Sequence, residues 1–335
     1  MKYMNETSSY EFILIGLSTD PSLQPLYFTI LLMMYMVTLT GNILIIVVVK
    51  TESRLQTPMY FFLSNLSLID LCFSAFLPLL CLNFCTLAED RSISFWGCAA
   101  VLWLKTGAFP FGDVPLRCIS TSLGGTECII LALMAYDRYV AICHPLHYNS
   151  IMNLKLCLLL SVGTWSFNFL NSIYYAYITF RLPYCRSRHV NHYFCEMPPL
   201  FRLSCTDTLM DEIAVYISGG IVGLCSFVLT LMSYVQIIST ILRIRSSTGR
   251  RKAFSTCVSH LSVVSLYYGA IVFTYLRPRG SYSVDRDRAV SILYTVVTPM
   301  FNPIIYSIRN KEVKGSVRKL FVNRFTQSTD LHFSH

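Results

Sequence analysis

Met134 to Tyr148 reads MAYDRYVAICHPLHY. The stretch closes a long apolar segment, Cys128 to Ala135, with an acid, a base and an aromatic in a row: Asp137, Arg138 and Tyr139. It then returns to apolar residues and stops at Pro145. A charged pair beside hydrocarbon is costly at a bilayer centre, so this pair belongs at the membrane–water boundary, where an arginine can snorkel. Taken alone, the triplet reads equally as a helix end anchored by interfacial charge and aromatics.

The rest of the chain has the composition of a protein dissolved mainly in lipid. Of its 335 residues 54% are hydrophobic and only 13% charged, about half the charged share of an ordinary soluble domain. Seven spans of about 25 residues with short connections would use most of that length. The expected spans are Leu26–Val49, Pro58–Leu82, a third ending at Tyr139, Lys155–Tyr177, Ile213–Ile241, Ala253–Leu276 and Ala289–Ile308. The polar start, MKYMNETSSY, holds no apolar core, so no cleavable signal peptide is expected and the first span acts as its own insertion signal.

Seven spans put the termini on opposite sides. With the N-terminus outside, inner segments carry 15 Lys and Arg against 12 outside, a weak bias by itself. Acids sharpen it: 12 lie outside and 4 inside, which leaves a basic inner face suited to anionic lipid and an acidic cytosolic partner. The Asn5-Glu6-Thr7 sequon fits an outside N-terminus. After the seventh span, Val313, Val317, Leu320 and Phe321 recur at helical spacing with basic residues between them. This predicts a short amphipathic helix on the inner leaflet.

One stretch breaks the pattern. Cys98 to Arg138 would make a helix of about 60 Å against a bilayer of about 40–45 Å. Gly107, Pro110, Gly112 and Pro115 punctuate it. The third span is therefore expected to start near Leu116 or Arg117, with about 99–114 looping outside or folding against its top.

Met134–Tyr148 resembles the third-helix end of the olfactory receptors, within the rhodopsin-like (class A) G-protein-coupled receptors. LQTPMYFFLSNLSLID (Leu55–Asp70), KAFSTCVSHL (Lys252–Leu261) and TPMFNPIIYSIRN (Thr298–Asn310) extend the resemblance along nearly the whole chain. It implies an all-α membrane protein, a seven-transmembrane helix bundle, with an extracellular N-terminus (1–25), a receptor domain (26–308) and a cytoplasmic amphipathic helix and tail (309–335). The implied place is the plasma membrane, multi-pass, with the C-terminus cytoplasmic. The implied function is reception of small odorants and activation of a stimulatory-type heterotrimeric G protein, with no catalysis. The family usually places its outer cysteine about 25 residues before the arginine, so about 99–114 is an insertion. Either the insertion is tolerated as an outer loop or the product folds poorly and does not signal. A transporter or channel would require internal repeats and charged pathway residues across several helices, and only Asp70 and Glu127 qualify.

The resemblance also assigns residues. Arg138 is the switch, held by Asp137 at rest beside Tyr139, with Tyr234 and Tyr306 swinging toward it and Asn302-Pro303 as the kink of the seventh span. Asp70 and Glu127 are acids at membrane depth that need partners. With Asn42 and Asn302 they would either share a Na⁺ or stay protonated and hydrogen-bonded. The implied disulfides are Cys98–Cys195 and Cys185–Cys205, with Cys118 a rival for Cys195. Copper or zinc at His192, Cys195 and Glu196 would need a free thiolate. The implied ligand pocket takes Ser120, Thr121 and Gly124 from the third span and Ser218, Gly219 and Val222 from the fifth. The sixth gives Tyr268, Ile271, Val272 and Tyr275, and the seventh Thr295. The set carries no charge, which favours neutral volatile molecules over cationic amines.

Overall fold

The computed structural model describes residues 11–14, 24–74, 92–94, 115–183, 189–190, 201, 204–275, 292–310 and 312–320. Seven long helical segments occupy most of them: α1 (Gln24–Thr51), α2 (Pro58–Ser74), α3 (Pro115–Cys143), α4 (Leu154–Phe180), α5 (Leu209–Arg243), α6 (Ser247–Tyr275) and α7 (Thr298–Arg309). A π-helical turn, Leu293–Val297, leads into α7. Residues 312–320 form a further helix, α8. The expected insertion about 99–114, the sequon at Asn5 and the end of the second span beyond Ser74 lie outside the described residues.

Among the described residues four helices are long and apolar enough to cross a membrane, and a fifth counts if α3 and the bent turn after it form one span. Large apolar side chains face outward along them, among them Leu159 (67% exposed) and Leu170 (66%) on α4 and Leu224 (64%) on α5. A water-soluble surface would not carry so much contiguous hydrocarbon. The fold is thus an all-α, membrane-spanning bundle. α5, at 35 residues, is about 52 Å long at 1.5 Å per residue, so it outreaches a hydrocarbon core of about 30 Å.

Local chemistry sets the helix ends. α3 begins at Pro115, next to its expected start. It ends before Pro145, which cannot continue the helical hydrogen bonding, and the chain there bends by 112°. Asn153 caps α4, its Oδ1 accepting from the Leu156 N–H at 2.9 Å. Asn310 caps α8, its Oδ1 accepting from the backbone N–H groups of Glu312 (3.0 Å) and Val313 (3.3 Å).

The core joins α2, α3, α4, α6 and α7 through Phe62, Leu63, Leu66, Leu131, Met134, Val263 and Tyr306. Val313 of α8 is fully buried in this same cluster, and Val317 and Leu320 pack against it. The apolar face expected to lie on lipid therefore docks on the bundle. Tyr60 at the start of α2 donates to Glu312 Oε2 (2.6 Å) and accepts from Asn310 Nδ2 (3.1 Å), and Lys319 pairs with Glu52 (3.2 Å).

Three short strands form a sheet of order β2-β1-β3: β1 (Glu11–Leu14), β2 (Ser92–Ser94) and β3 (His189–Val190). β1 runs antiparallel to β2, with Phe12 opposite Ile93, and parallel to β3, with Ile13 opposite His189. β1 precedes α1, β2 lies between α2 and α3, and β3 follows α4, so the sheet ties together connections from one end of the bundle.

Two glycines set helix spacing. A Cβ on Gly41 of α1 would sit 2.8 Å from Pro303 Cβ of α7, and one on Gly125 of α3 would run into the Asn168 amide of α4. Gly163 and Gly223 have open space there. Gly125→Ala and Gly41→Ala are each expected to destabilise the protein by about 1–3 kcal/mol through overpacking. Gly163→Ala should be neutral or stabilise by up to about 1 kcal/mol. Thermal unfolding of the purified variants in detergent checks this, and equal effects at all three positions would refute the close-approach account.

Candidate functional site

The Met134–Tyr148 segment closes on a buried carboxylate. Asp137 is fully buried. Its Oδ2 accepts from Arg138 Nη2 at 2.8 Å and Nε at 3.2 Å. Its Oδ1 accepts from the Tyr148 hydroxyl at 2.8 Å. Tyr148 stands on the short helix Tyr148–Ile151, which reaches the site because the chain turns sharply at Pro145. Burial and the Asp137 carboxylate hold the Tyr148 phenol above its ordinary pKa, so it remains a donor. Tyr139, next in sequence, points elsewhere, its hydroxyl 3.0 Å from His144 Nε2. The pairing of Asp137 with Arg138 was legible in the sequence. The Tyr148 contact was not, although the tyrosine ends the diagnostic stretch.

On the neighbouring helices, the Tyr234 hydroxyl of α5 lies 2.7 Å from Nδ1 of the fully buried His260 of α6, the rings stacked at 5.8 Å. His260 sits within the Lys252–Leu261 motif, but its type alone gave no role. Tyr306 of α7 is fully buried, and its hydroxyl has no partner among the described residues. Between these groups, Ala135, Ile237, Ile241 and Cys257 pack α3, α5 and α6 together.

A second polar cluster lies deeper. Asn302 of α7 donates to both oxygens of the fully buried Asp70, at 3.0 and 3.2 Å. Asn42 does not reach Asp70; it donates to the Pro299 carbonyl at 3.2 Å and the Thr38 carbonyl at 3.0 Å. Proline explains that bond. Pro303 has no N–H to give the carbonyl four residues earlier, which is Pro299, and Asn42 of α1 fills the vacancy. Glu127 of α3 is buried and near enough to Asp70 for their charges to interact. Glu127 Oε1, Asn42 Oδ1 and Asn302 Oδ1 lack partners among the described residues. Oxygen donors of this kind fit a hard cation such as Na⁺. No cluster of three or more His, Cys, Asp or Glu occurs among the described residues, and His192, Cys195 and Glu196 lie outside them.

The expected ligand residues divide. Tyr268 is buried between α3 and α5, 3.8 Å from Cys128 Sγ and edge-on to Phe227 at 5.2 Å. Its neighbour Tyr267 donates to the Gly124 carbonyl at 3.0 Å, and Ile271 packs against the same cluster. Ser218 instead faces α4, bonded to the Tyr175 hydroxyl at 2.6 Å, with Gly219 beside it. The sequence did not single out Tyr175, whose hydroxyl holds Ser218 across the α4–α5 contact. Val222 is half-buried, and Val272 is 47% exposed. The side chains of Ser120, Thr121, Tyr275 and Thr295 lie outside the described set. At the same end, Arg181 pairs with Asp211, joining α4 to α5. Cys205 is one half of a disulfide; its expected partner Cys185 lies outside the described residues, as do Cys98 and Cys195.

Comparison with known proteins agrees with this architecture. A family model described as olfactory receptor matches residues 31–324. The chain is 46% identical over 317 residues to the dog olfactory receptor-like protein OLF3, covering 94% of this chain and 95% of the relative. It is 46% identical over the same length to human olfactory receptor 2F1, with the same coverage. Mouse olfactory receptor 8U3 is 45% identical over 320 residues, or 95% of each chain. The chain belongs to the olfactory receptor family of rhodopsin-like (class A) G-protein-coupled receptors, which are non-catalytic membrane proteins.

Proposed function

We propose that this chain is a seven-span odorant receptor of the plasma membrane, with its N-terminus outside and its C-terminus in the cytosol. It binds small neutral volatile molecules in the outer half of the bundle and activates a stimulatory-type heterotrimeric G protein, raising cAMP. The observation that carries this reading is the buried Asp137 carboxylate holding Arg138 and Tyr148 at the end of α3. A charge kept inside by two partners is a two-state device: it stays closed while both donors remain, and exposes Arg138 when the helices part. An odorant opens it only through a higher affinity for the open state.

The ligand set of Tyr268, Ile271 and Gly124, together with Ser120, Thr121, Val222, Val272, Tyr275 and Thr295, offers apolar surface and hydroxyls but no charge. Ser218 and Gly219 act through the α4 wall at Tyr175. Asn302-Pro303 is the hinge, and Tyr234 and Tyr306 are the residues released toward Arg138. The Asp70, Glu127, Asn42 and Asn302 oxygens hold Na⁺ in the resting state. The outer face carries a glycan on Asn5 and the disulfides Cys98–Cys195 and Cys185–Cys205, and the insertion about 99–114 is an outer loop.

A panel of odorants with a cAMP readout in cells tests the reading. Arg138→Ala is expected to abolish the response of whichever ligand activates the parent, with surface staining unchanged; an intact response would remove the switch role. Tyr148→Phe deletes one hydrogen bond to a charged group, worth about 1.5–3 kcal/mol. It should raise ligand-independent cAMP, and an unchanged basal level would mean the bond does not hold the resting state. Deleting residues 99–114 should leave surface staining of the tagged chain within about twofold. A large rise would favour the poorly folding reading, because at about 1.4 kcal/mol per decade even a tenfold gain reflects a modest relief of misfolding.

A further inference from the structure

A cavity of about 440 Å³ opens between the last turns of α5 and the first turns of α6. Its floor is Ile238, Ile241, Leu242 and Phe254, and Arg250 and Arg251 stand at its rim. Ile241 is buried, but Ile238, Leu242 and Phe254 are 45%, 67% and 51% exposed. Neither guanidinium has an ion-pair partner among the described residues.

The groove continues an apolar stripe. Leu231, Val235, Ile238 and Leu242 are all exposed, and their spacing of four, three and four residues puts them on one helix face. The inward face of the same turns is a different set, Tyr234, Ile237 and Ile241, packed on α3 and α6. The stripe therefore faces hydrocarbon and runs down into the groove, which ends at two arginines. A molecule following it needs an acyl chain against Leu231–Leu242 and an anionic head at Arg250 and Arg251.

We infer that this groove is a binding site for a single anionic phospholipid of the inner leaflet, its phosphate on Arg250 and Arg251 and an acyl chain along Ile238, Leu242 and Phe254. The inference rests on the orientation proposed above, with the α5–α6 turn at the cytosolic face, where anionic lipid is concentrated. A lipid seated there bridges α5 and α6, the helices that Tyr234 and His260 also join.

The test uses the full chain in nanodiscs containing equal phosphatidylserine and phosphatidylcholine of matched acyl chains, with retained lipids counted by native mass spectrometry. Selective retention of one phosphatidylserine is expected. Arg250→Gln with Arg251→Gln should cut that selectivity about 25-fold, since each near-surface basic residue contributes roughly a factor of five. Removing two other inner-face charges, Arg54→Gln with Lys155→Gln, should leave it. Leu242→Ser should weaken retention with both arginines present, and free glycerophosphoserine should not displace the lipid.

Equal retention of phosphatidylcholine, unchanged selectivity in the arginine variant, or displacement by the soluble head group would each overturn the inference. The readout needs neither odorant nor G protein. Lipid retention without any cAMP response would therefore count against the proposed signalling alone, and a response without retention against the lipid site alone.

Discussion

Everything in this fold follows from the absence of water between the helices. In hydrocarbon an unpaired polar group costs several kcal/mol, which favours arrangements where buried polar side chains find partners on their own helix or on another. The partners then fix which helices touch. Asp70 takes Asn302, Pro299 takes Asn42, Asn65 of α2 takes Ser161 and Trp165 of α4, and Asp137 takes Arg138 and Tyr148. Remove the apolar solvent and these contacts are ordinary; within it they are the specific contacts that choose one bundle among many.

The same rule explains where the molecule can change. The proline at 303 removes one backbone bond and leaves the Pro299 carbonyl to accept from Asn42 of α1, and a π-helical turn precedes the helix that carries it. Such a helix can shift without losing a full ladder of hydrogen bonds. Tyr306 sits one turn further on, fully buried with its hydroxyl unpartnered among the described residues. Tyr234, paired with His260, and Arg138 of the Asp137 cluster interact electrostatically with Tyr306, so these polar groups are gathered at one end of the bundle.

Much of this was legible in the residues. The helices recur as apolar segments, the Asp137–Arg138 pair at the end of α3 follows from the cost of charge in lipid, and the start of α3 follows from the length that a membrane allows. Other features could not be read. Tyr148 is eleven residues beyond Asp137 in no special pattern, and reaches it only because the chain bends at Pro145. Asn42 donates to a carbonyl that only the packing of α1 on α7 brings near. The apolar residues of α8 have the spacing of a helix lying on lipid, yet Val313 enters the core, since spacing cannot tell one apolar surface from another. Ser218 resembles a pocket residue by position, and its rotation toward Tyr175 of α4 is a matter of register.

By itself, the sequence determined the solvent of this protein, its division into apolar rods and its family, because these depend on composition and local order. The tertiary structure decided which donors meet which acceptors: Tyr148 on Asp137, Asn42 on Pro299, Tyr234 on His260, and α8 against the core. Those pairings join residues far apart in the chain, and their energies depend on distances of about 3 Å that no spacing along the chain encodes.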